Sequence, residues 1–327
     1  MKNLIIHTPE GFRDIYGQEM KRKRTLMRGF EDVFDHYGYE PIETPTVEYF
    51  DVFSNEVGTT PSNELYKFFD RDGNTMVLRP DFTPSVCRAV AMHFPKEGMP
   101  YRLSYEGSTF VNSQEYQLNL KQATQAGVEL IGDGSAKADA EILMLTCDLL
   151  KKAGIREFQV SVGEVDFFKS LAAESGLDEE TIEQVRSMIS NKNFFGVSER
   201  LGSADINPVI RRAFAELPKM FGGAEVLDEA ETFAVTEKSR EAIARLREIW
   251  SYIEGTDNER YISWDFGLLS KYHYYTGIIF SAFTYGTGEP VAKGGRYDRM
   301  LAHFGEDAPA VGVGLYVDQL MMATRRD

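Results

Sequence analysis

The 327-residue chain is poor in cysteine, has no long apolar run and is short of positive charge. Cys87 and Cys147 stand in apolar helical surroundings with no metal-type spacing, so they read as two core thiols in a reducing cytoplasm. The N-terminal stretch MKNLIIHTPEGFRD offers only a short apolar patch before Pro9, too short to read as a signal peptide or a membrane span, and no later stretch approaches a membrane-spanning length. Lysine and arginine total 36 against 51 aspartates and glutamates, a formal net charge of -15. Such a chain repels a polyphosphate backbone unless its cations cluster. The densest cluster, KRKR at 21 to 24, lies among other charges on an expected helix and reads as a solvated face, so nucleic acid is a poor partner.

The familiar catalytic fingerprints are missing as well. There is no G-x-S-x-G, Walker A, H-E-x-x-H, or G-x-G-x-x-G opening a helix. The five histidines, His7, His36, His93, His273 and His303, have no paired ligand spacing, which leaves no metal site to propose. GVG at 312 to 314 and GG at 294 to 295 are too short for phosphate cradles and read as points of close backbone packing.

What is present is an alternation of periods. Leu26, Phe30, Val33 and Phe34 recur at helical spacing over 17 to 38, ending at Gly38, and YEPIETPTVEYFDVF follows as extended chain broken by two prolines. LYKFFDRDGNTMVLRPD predicts a hairpin turning at RDGN, then a helix over about 84 to 94 with Thr83 as cap and Pro84 in its first turn. Strands are expected at 101 to 111 and 121 to 132, a helix at 136 to 153 and a strand at 157 to 163. Residues 165 to 255 turn helix-rich and polar. Strand patterning resumes with RYISWDFG, YYTGIIFSAFTYG and EPVAKGGRYD, and PAVGVGLYVDQLMMA passes from strand to helix. The expectation is an α+β fold, an antiparallel sheet with flanking helices. Residues 1–164 and 256–327 would form one discontinuous domain and 165–255 a helical insertion.

Several polar residues sit inside these apolar strands: Arg79, Asp81 and Thr83 in VLRPDFTP, Gln125 and Glu129 in TQAGVELIG, Tyr274 and Tyr275, and Arg296 and Tyr297 in KGGRYD. Residues four apart on a strand share a face, so Gln125 and Glu129 project into one space. A carboxylate there needs a partner. The ammonium or imidazolium of a ligand would serve, and so would a salt bridge to Arg79 or Arg296; the residues alone leave both open.

Taken in order, HTPEGFRDIYG, YGYEPIETPTVE, LRPDFTPSVCR, QAGVELIG, YYTGIIF, GGRYD and PAVGVGL resemble the catalytic domain of histidyl-tRNA synthetase, from about residue 7 to 320 apart from the helical section. The resemblance implies a class II aminoacyl-tRNA synthetase-like fold. It also implies self-association as a dimer, through the YGYEPIETPTVE element.

The same resemblance implies that the synthetase's chemistry is gone. Val111 stands where the second motif carries its phosphate-binding arginine, and NSQEYQ where the nucleotide loop belongs. Gln319, after Asp318, stands where the third motif has arginine, and Ser270 where the histidine-activating arginine falls. Losing one such preorganised donor typically costs about 10²- to 10³-fold in rate, so losing three should abolish aminoacylation. The residues from Gln319 to Asp327 also leave no room for an anticodon-binding domain, and with the acidic balance no tRNA partner is expected.

The positions resembling the histidine pocket are kept: Asp81, Thr83, Gln125, Glu129, Tyr274, Tyr275 and Tyr297. A pocket that binds histidine without activating it is a sensor. The chain thus resembles the regulatory-subunit family of ATP phosphoribosyltransferase, which joins a short catalytic subunit, carries no cofactor and transmits histidine feedback in the cytoplasm. Lys293 before GGRYD and His273 before the tyrosine pair depart from the pattern. They keep open a synthetase-derived paralogue with another ligand or a scaffolding role; an active histidyl-tRNA synthetase is the least supported reading.

Overall fold

The computed structural model describes residues 7–54, 60–113, 120–270 and 274–324. Helix α1 (Gly17–His36) buries Met27, Phe30 and Phe34 along one face, and the chain turns out of it at Gly38 with φ of 75°. The extended stretch yields β1 (Glu40–Pro41) and β2 (Val47–Tyr49). The hairpin of β3 (Lys67–Phe69) and β4 (Thr75–Leu78) turns where expected, because the Asp70 carboxylate accepts from the backbone N–H groups of Asp72 and Asn74, each at 2.9 Å. Helix α2 is Thr83–His93, β5 Tyr101–Phe110, β6 Gln122–Ile131, α3 Ala136–Lys152 and β7 Phe158–Glu164.

The helical section comprises α4 (Val165–Ser175), α5 (Glu179–Ser190), α6 (Phe194–Leu201), α7 (Pro208–Glu216), the short β8 (Phe221–Gly222), α8 (Glu225–Glu231) and α9 (Glu237–Ile253). Side-chain caps mark the helix starts: Asp178 accepts from Thr181 N at 2.8 Å, and Thr236 and Ser239 form a reciprocal capping box. The chain closes with β9 (Ile262–Asp265), β10 (Ile278–Thr284), β11 (Ala292–Arg296), β12 (Ala310–Tyr316) and α10 (Val317–Ala323).

Nine strands form one sheet in the order β1-β5-β6-β12-β11-β10-β7-β9-β8, and β2-β4-β3 form a second. The main sheet is mixed rather than wholly antiparallel, since β1 runs parallel to β5 and β7 parallel to β9. The second exception follows from connectivity. Adjacent parallel strands need a long crossover, and the helices between β7 and β9 supply it. One sheet face packs against α1, α3 and α9 in a core that includes Phe30, Leu143, Trp264 and Phe280 and continues into the helical section through Phe167, Ile210 and Phe214. The other face carries a smaller core built on α2, with Phe82, Val86, Leu103, Tyr105, Tyr297 and Ala310. On that face, beside α2, side chains give way to glycines.

Candidate functional site

The register places the glycines together. Glu129 of β6 pairs with Gly312 of β12, which pairs in turn with Gly295 of β11; one step along, Tyr105, Gly127, Gly314 and Lys293 lie in line across β5, β6, β12 and β11. Cross-strand partners share a face, so Gly127, Gly295, Gly312 and Gly314 make a floor without side chains. Polar groups of neighbouring residues lie on that floor. A Cβ at Gly312 would overlap the Glu129 carboxylate, one at Gly314 the Gln125 amide, and one at Gly127 would come within 2.5 Å of the Tyr105 hydroxyl. The short glycine motifs are points of close packing, as their sequence suggests, and what they admit is the polar ring itself.

Above this floor is a cavity of about 150 Å³, half or less of the roughly 300–1,000 Å³ typical for drug-sized ligands. It suits a small metabolite. Asp81, Thr83, Gln125, Glu129, Tyr274, Tyr275 and Tyr297, the seven residues singled out from sequence, all line it. Tyr105, Glu64 and Lys293 line it too. Tyr105 escaped sequence reasoning because YRLSYEG looks like ordinary strand; the usable signal was the two-residue period of Gln125, Gly127 and Glu129 opposite it. His273 and residues 114–117 of NSQEYQ lie outside the described residues.

Glu129 is the electrostatic centre of the cavity. It is 1 % exposed, accepts from the Thr83 hydroxyl at 2.7 Å and from the Tyr297 hydroxyl, and has the Tyr105 hydroxyl as a third neighbour. Burial pushes its carboxyl up to about 8, helped by Asp81 nearby, while the hydroxyls pull the other way. Among the described residues, no cation forms an ion pair with it. Burial likewise drives the Tyr105 and Tyr297 phenols and the Cys87 thiol well above their usual ranges, so at neutral pH the hydroxyls are donors and the thiol is inert.

Three expectations need correction. Thr83 does not cap α2; it is the first helical residue, and its hydroxyl donates to Glu129, because a desolvated carboxyl group needs hydrogen-bond partners. Arg79 is no partner of Glu129: its guanidinium donates to the Thr44 carbonyl at 2.7 Å and the Ser108 carbonyl at 3.0 Å and lies over the Phe82 ring, which stacks on Tyr105. Arg296 points through the opposite face, bonding Asp139 of α3 at 2.7 Å and Asp298 at 2.9 Å. Asp139 also takes Arg245 of α9 at 2.6 Å.

The helical section grips the segment that carries the tyrosine pair. Lys169 of α4 donates to the Tyr275 carbonyl at 3.0 Å, Arg186 of α5 to the Ser270 carbonyl at 2.7 Å, and Lys192 pairs with Asp265 at 2.5 Å. Val111 lines the cavity as an apolar wall. Asp318 is spent on structure, accepting from Thr124 N at 2.7 Å and from Arg13.

Gln319 is 1 % exposed, and among the described residues neither end of its amide has a hydrogen-bond partner. An orphaned buried amide costs about 1–3 kcal/mol, so Gln319→Met should stabilise the fold by about 1–2 kcal/mol, read as a raised urea midpoint at constant m. Gly312→Ala should do the reverse. Its Cβ would also meet the Val128 carbonyl at 2.6 Å, and backbone cannot step aside, so a loss of about 1–3 kcal/mol is expected in the same assay.

Residues 11–320 match the family model of histidyl-tRNA synthetase. A curated ATP phosphoribosyltransferase regulatory subunit of Acetivibrio thermocellus is 39% identical over 98% of this chain and 77% of its own length, and one of Thermoanaerobacter pseudethanolicus 37% identical over 98% and 84%. A solved structure from Bacillus halodurans C, described as an ATP phosphoribosyltransferase regulatory subunit/histidyl-tRNA synthetase, superposes with a TM-score of 0.92 at 32% identity, over 98% of this chain and 84% of that one. The histidyl-tRNA synthetase of Nostoc sp. PCC 7120, at 20% identity and a TM-score of 0.81 over 97% of this chain and 75% of that one, shares the fold.

Proposed function

This chain belongs to the family of ATP phosphoribosyltransferase regulatory subunits built on the histidyl-tRNA synthetase fold, and from that premise we propose that its glycine-floored cavity is a sensor for free histidine. The chain is a non-catalytic subunit of the phosphoribosyltransferase. Its partner is a short-form catalytic subunit, and histidine acts as the feedback effector of histidine biosynthesis in the cytoplasm. Neither tRNA nor a membrane takes part; no described helix is long and apolar enough to cross a membrane.

The observation that carries this reading is Glu129: a buried carboxyl with hydroxyl donors and, among the described residues, no ion-pair partner, lining a cavity of amino-acid size. An imidazole is a fitting occupant. With Glu129 near 8 and imidazole near 6.5, the two hold one proton between them at neutral pH without drawing on solvent, and the mutual attraction of the ion-paired form favours moving it to the imidazole. Asp81 and Gln125 offer acceptors to the α-ammonium, and Tyr274 and Tyr275 give the ring an aromatic wall.

Sensing requires linkage. Histidine must favour one arrangement of the hetero-oligomer over another, and a coupling of about 1–3 kcal/mol is enough for useful inhibition. Self-association as a dimer is supported by the small second sheet, where Tyr49, Met76 and Phe68 lie side by side across three strands and Tyr49 and Phe68 are 56% and 40% exposed. The test of the sensor is isothermal titration of the chain with histidine, beside histidine-dependent ATP–pyrophosphate exchange. Saturable binding without exchange supports it; no binding, or exchange, overturns it.

A further inference from the structure

Glu129, Gln125 and the glycine floor belong to strands hydrogen-bonded on both sides, whereas Tyr274 and Tyr275 precede β10 and belong to no strand. The sheet ladder therefore fixes the floor of the cavity more firmly than its aromatic wall. We propose that Lys169, Arg186 and Lys192 are positioning residues for that wall, so that the helical section governs the cavity's affinity; the inference rests on the cavity being a histidine site.

Two of the three cations hold main-chain oxygens. Lys169 of α4 donates to the Tyr275 carbonyl at 3.0 Å and Arg186 of α5 to the Ser270 carbonyl at 2.7 Å. Glu183, one turn earlier on α5, aims the Arg186 guanidinium by accepting from its Nε at 3.0 Å and 3.1 Å. The Tyr275 ring in turn lies on the floor, since a Cβ at Gly295 would come within 2.6 Å of its Cε1. A shift of the Tyr275 backbone thus moves its ring across the ligand space.

Lys192 carries a further signal. It follows the C-cap of α5 with φ of 55°, where helices ordinarily place glycine, and the turn is completed by Lys192 N on the Ile189 carbonyl at 2.9 Å and Asn193 N on the Met188 carbonyl at 2.8 Å. A side chain at this backbone conformation is strained, and such strain persists where the surroundings over-determine it. Its ammonium pairs with Asp265, 8% exposed, and the same carboxylate oxygen accepts from Gly267 N at 2.9 Å. Gly267 makes room for the contact, because a Cβ there would come within 2.5 Å of the ammonium. Glycine at 192 would relieve the strain and lose the anchor.

The experiment titrates histidine into the whole chain as wild type, Lys169→Met, Lys169→Arg, Lys192→Gly, Tyr275→Ala and the Lys169→Met/Tyr275→Ala double variant. Loss of a charge-assisted hydrogen bond that holds the binding-competent arrangement predicts about tenfold weaker histidine for Lys169→Met and an affinity close to wild type for Lys169→Arg. Lys192→Gly should weaken histidine without lowering the urea midpoint. In the Tyr275→Ala background Lys169→Met should change the affinity no further, because the ring that the lysine places is gone; a lysine that merely stabilised the fold would cost the same in both backgrounds. Unchanged affinity in Lys169→Met or Lys192→Gly, or equal losses in the two backgrounds, overturns the assignment while leaving the sensor standing. If wild type binds no histidine, the sensor reading falls and takes the assignment with it.

Discussion

Replacing Glu129 with glutamine is expected to weaken histidine binding by about 100-fold or more while making the folded chain more stable above neutral pH. The two effects have one cause. Removing one partner of a desolvated, hydrogen-bonded charge pair costs about 2–5 kcal/mol of binding, which is the 100-fold. The same carboxylate is a burden to the ligand-free fold. Its folded value, about 8, lies above its ordinary value of 4.5, so the folded state holds the proton more tightly than the unfolded chain does. Stability contributed by the protonated group is therefore present at acid pH and lost as pH rises from about 4.5 through about 8, a loss of roughly 4–5 kcal/mol when complete. Glu129→Gln has no such slope. Urea unfolding of both proteins at pH 5 and pH 8.5 reads it directly: the variant's advantage should be small at pH 5 and several kcal/mol at pH 8.5. Proton exchange gives a second readout in wild type. Histidine binding should release a proton below about pH 6.5 and take one up above about pH 8, seen as buffer-dependent heats of opposite sign.

Asp139→Ala is expected to cost about 3–5 kcal/mol of stability with no ligand involved. Asp139 is 1 % exposed and holds Arg296 at 2.7 Å and Arg245 at 2.6 Å, joining α3, β11 and α9 beneath the cavity floor. Removing it leaves Arg296, 4% exposed, with Asp298 as its one remaining ion-pair partner among the described residues, and takes the partner of Arg245 as well. The exposed pairs of Arg247 with Asp228 and Glu231 make the control, since Arg247→Ala should cost less than about 1 kcal/mol by the same urea titration. Similar losses in the two variants would contradict the role given to Asp139.

The sequence carries local information well here and long-range information selectively. Helix α1, the Asp70 turn and the strands around the cavity lie within a residue or two of where periodicity and turn chemistry put them, because each is decided by neighbours in the chain. The shared face of Gln125 and Glu129 was legible for the same reason. The partners of Arg79, Arg296 and Thr83 were not, since those contacts join residues dozens to more than a hundred positions apart and a guanidinium or hydroxyl has several equally good acceptors in composition alone. The parallel pairing of β7 with β9 was hidden likewise: it depends on where the helical crossover returns the chain. The glycine floor lies between these cases. Gly312 and Gly314 announce close packing in sequence, but only the register with β6 says that Glu129 and Gln125 are what they make room for.

The role proposed for this subunit is to carry histidine's signal to a catalytic partner. The direct measurement is the phosphoribosyltransferase rate of a short-form catalytic subunit alone, with this chain, and with this chain plus histidine. The rate should rise when the chain is added and fall again as histidine is titrated. A reconstituted complex whose rate histidine leaves unchanged, or a catalytic subunit indifferent to the chain, would contradict it.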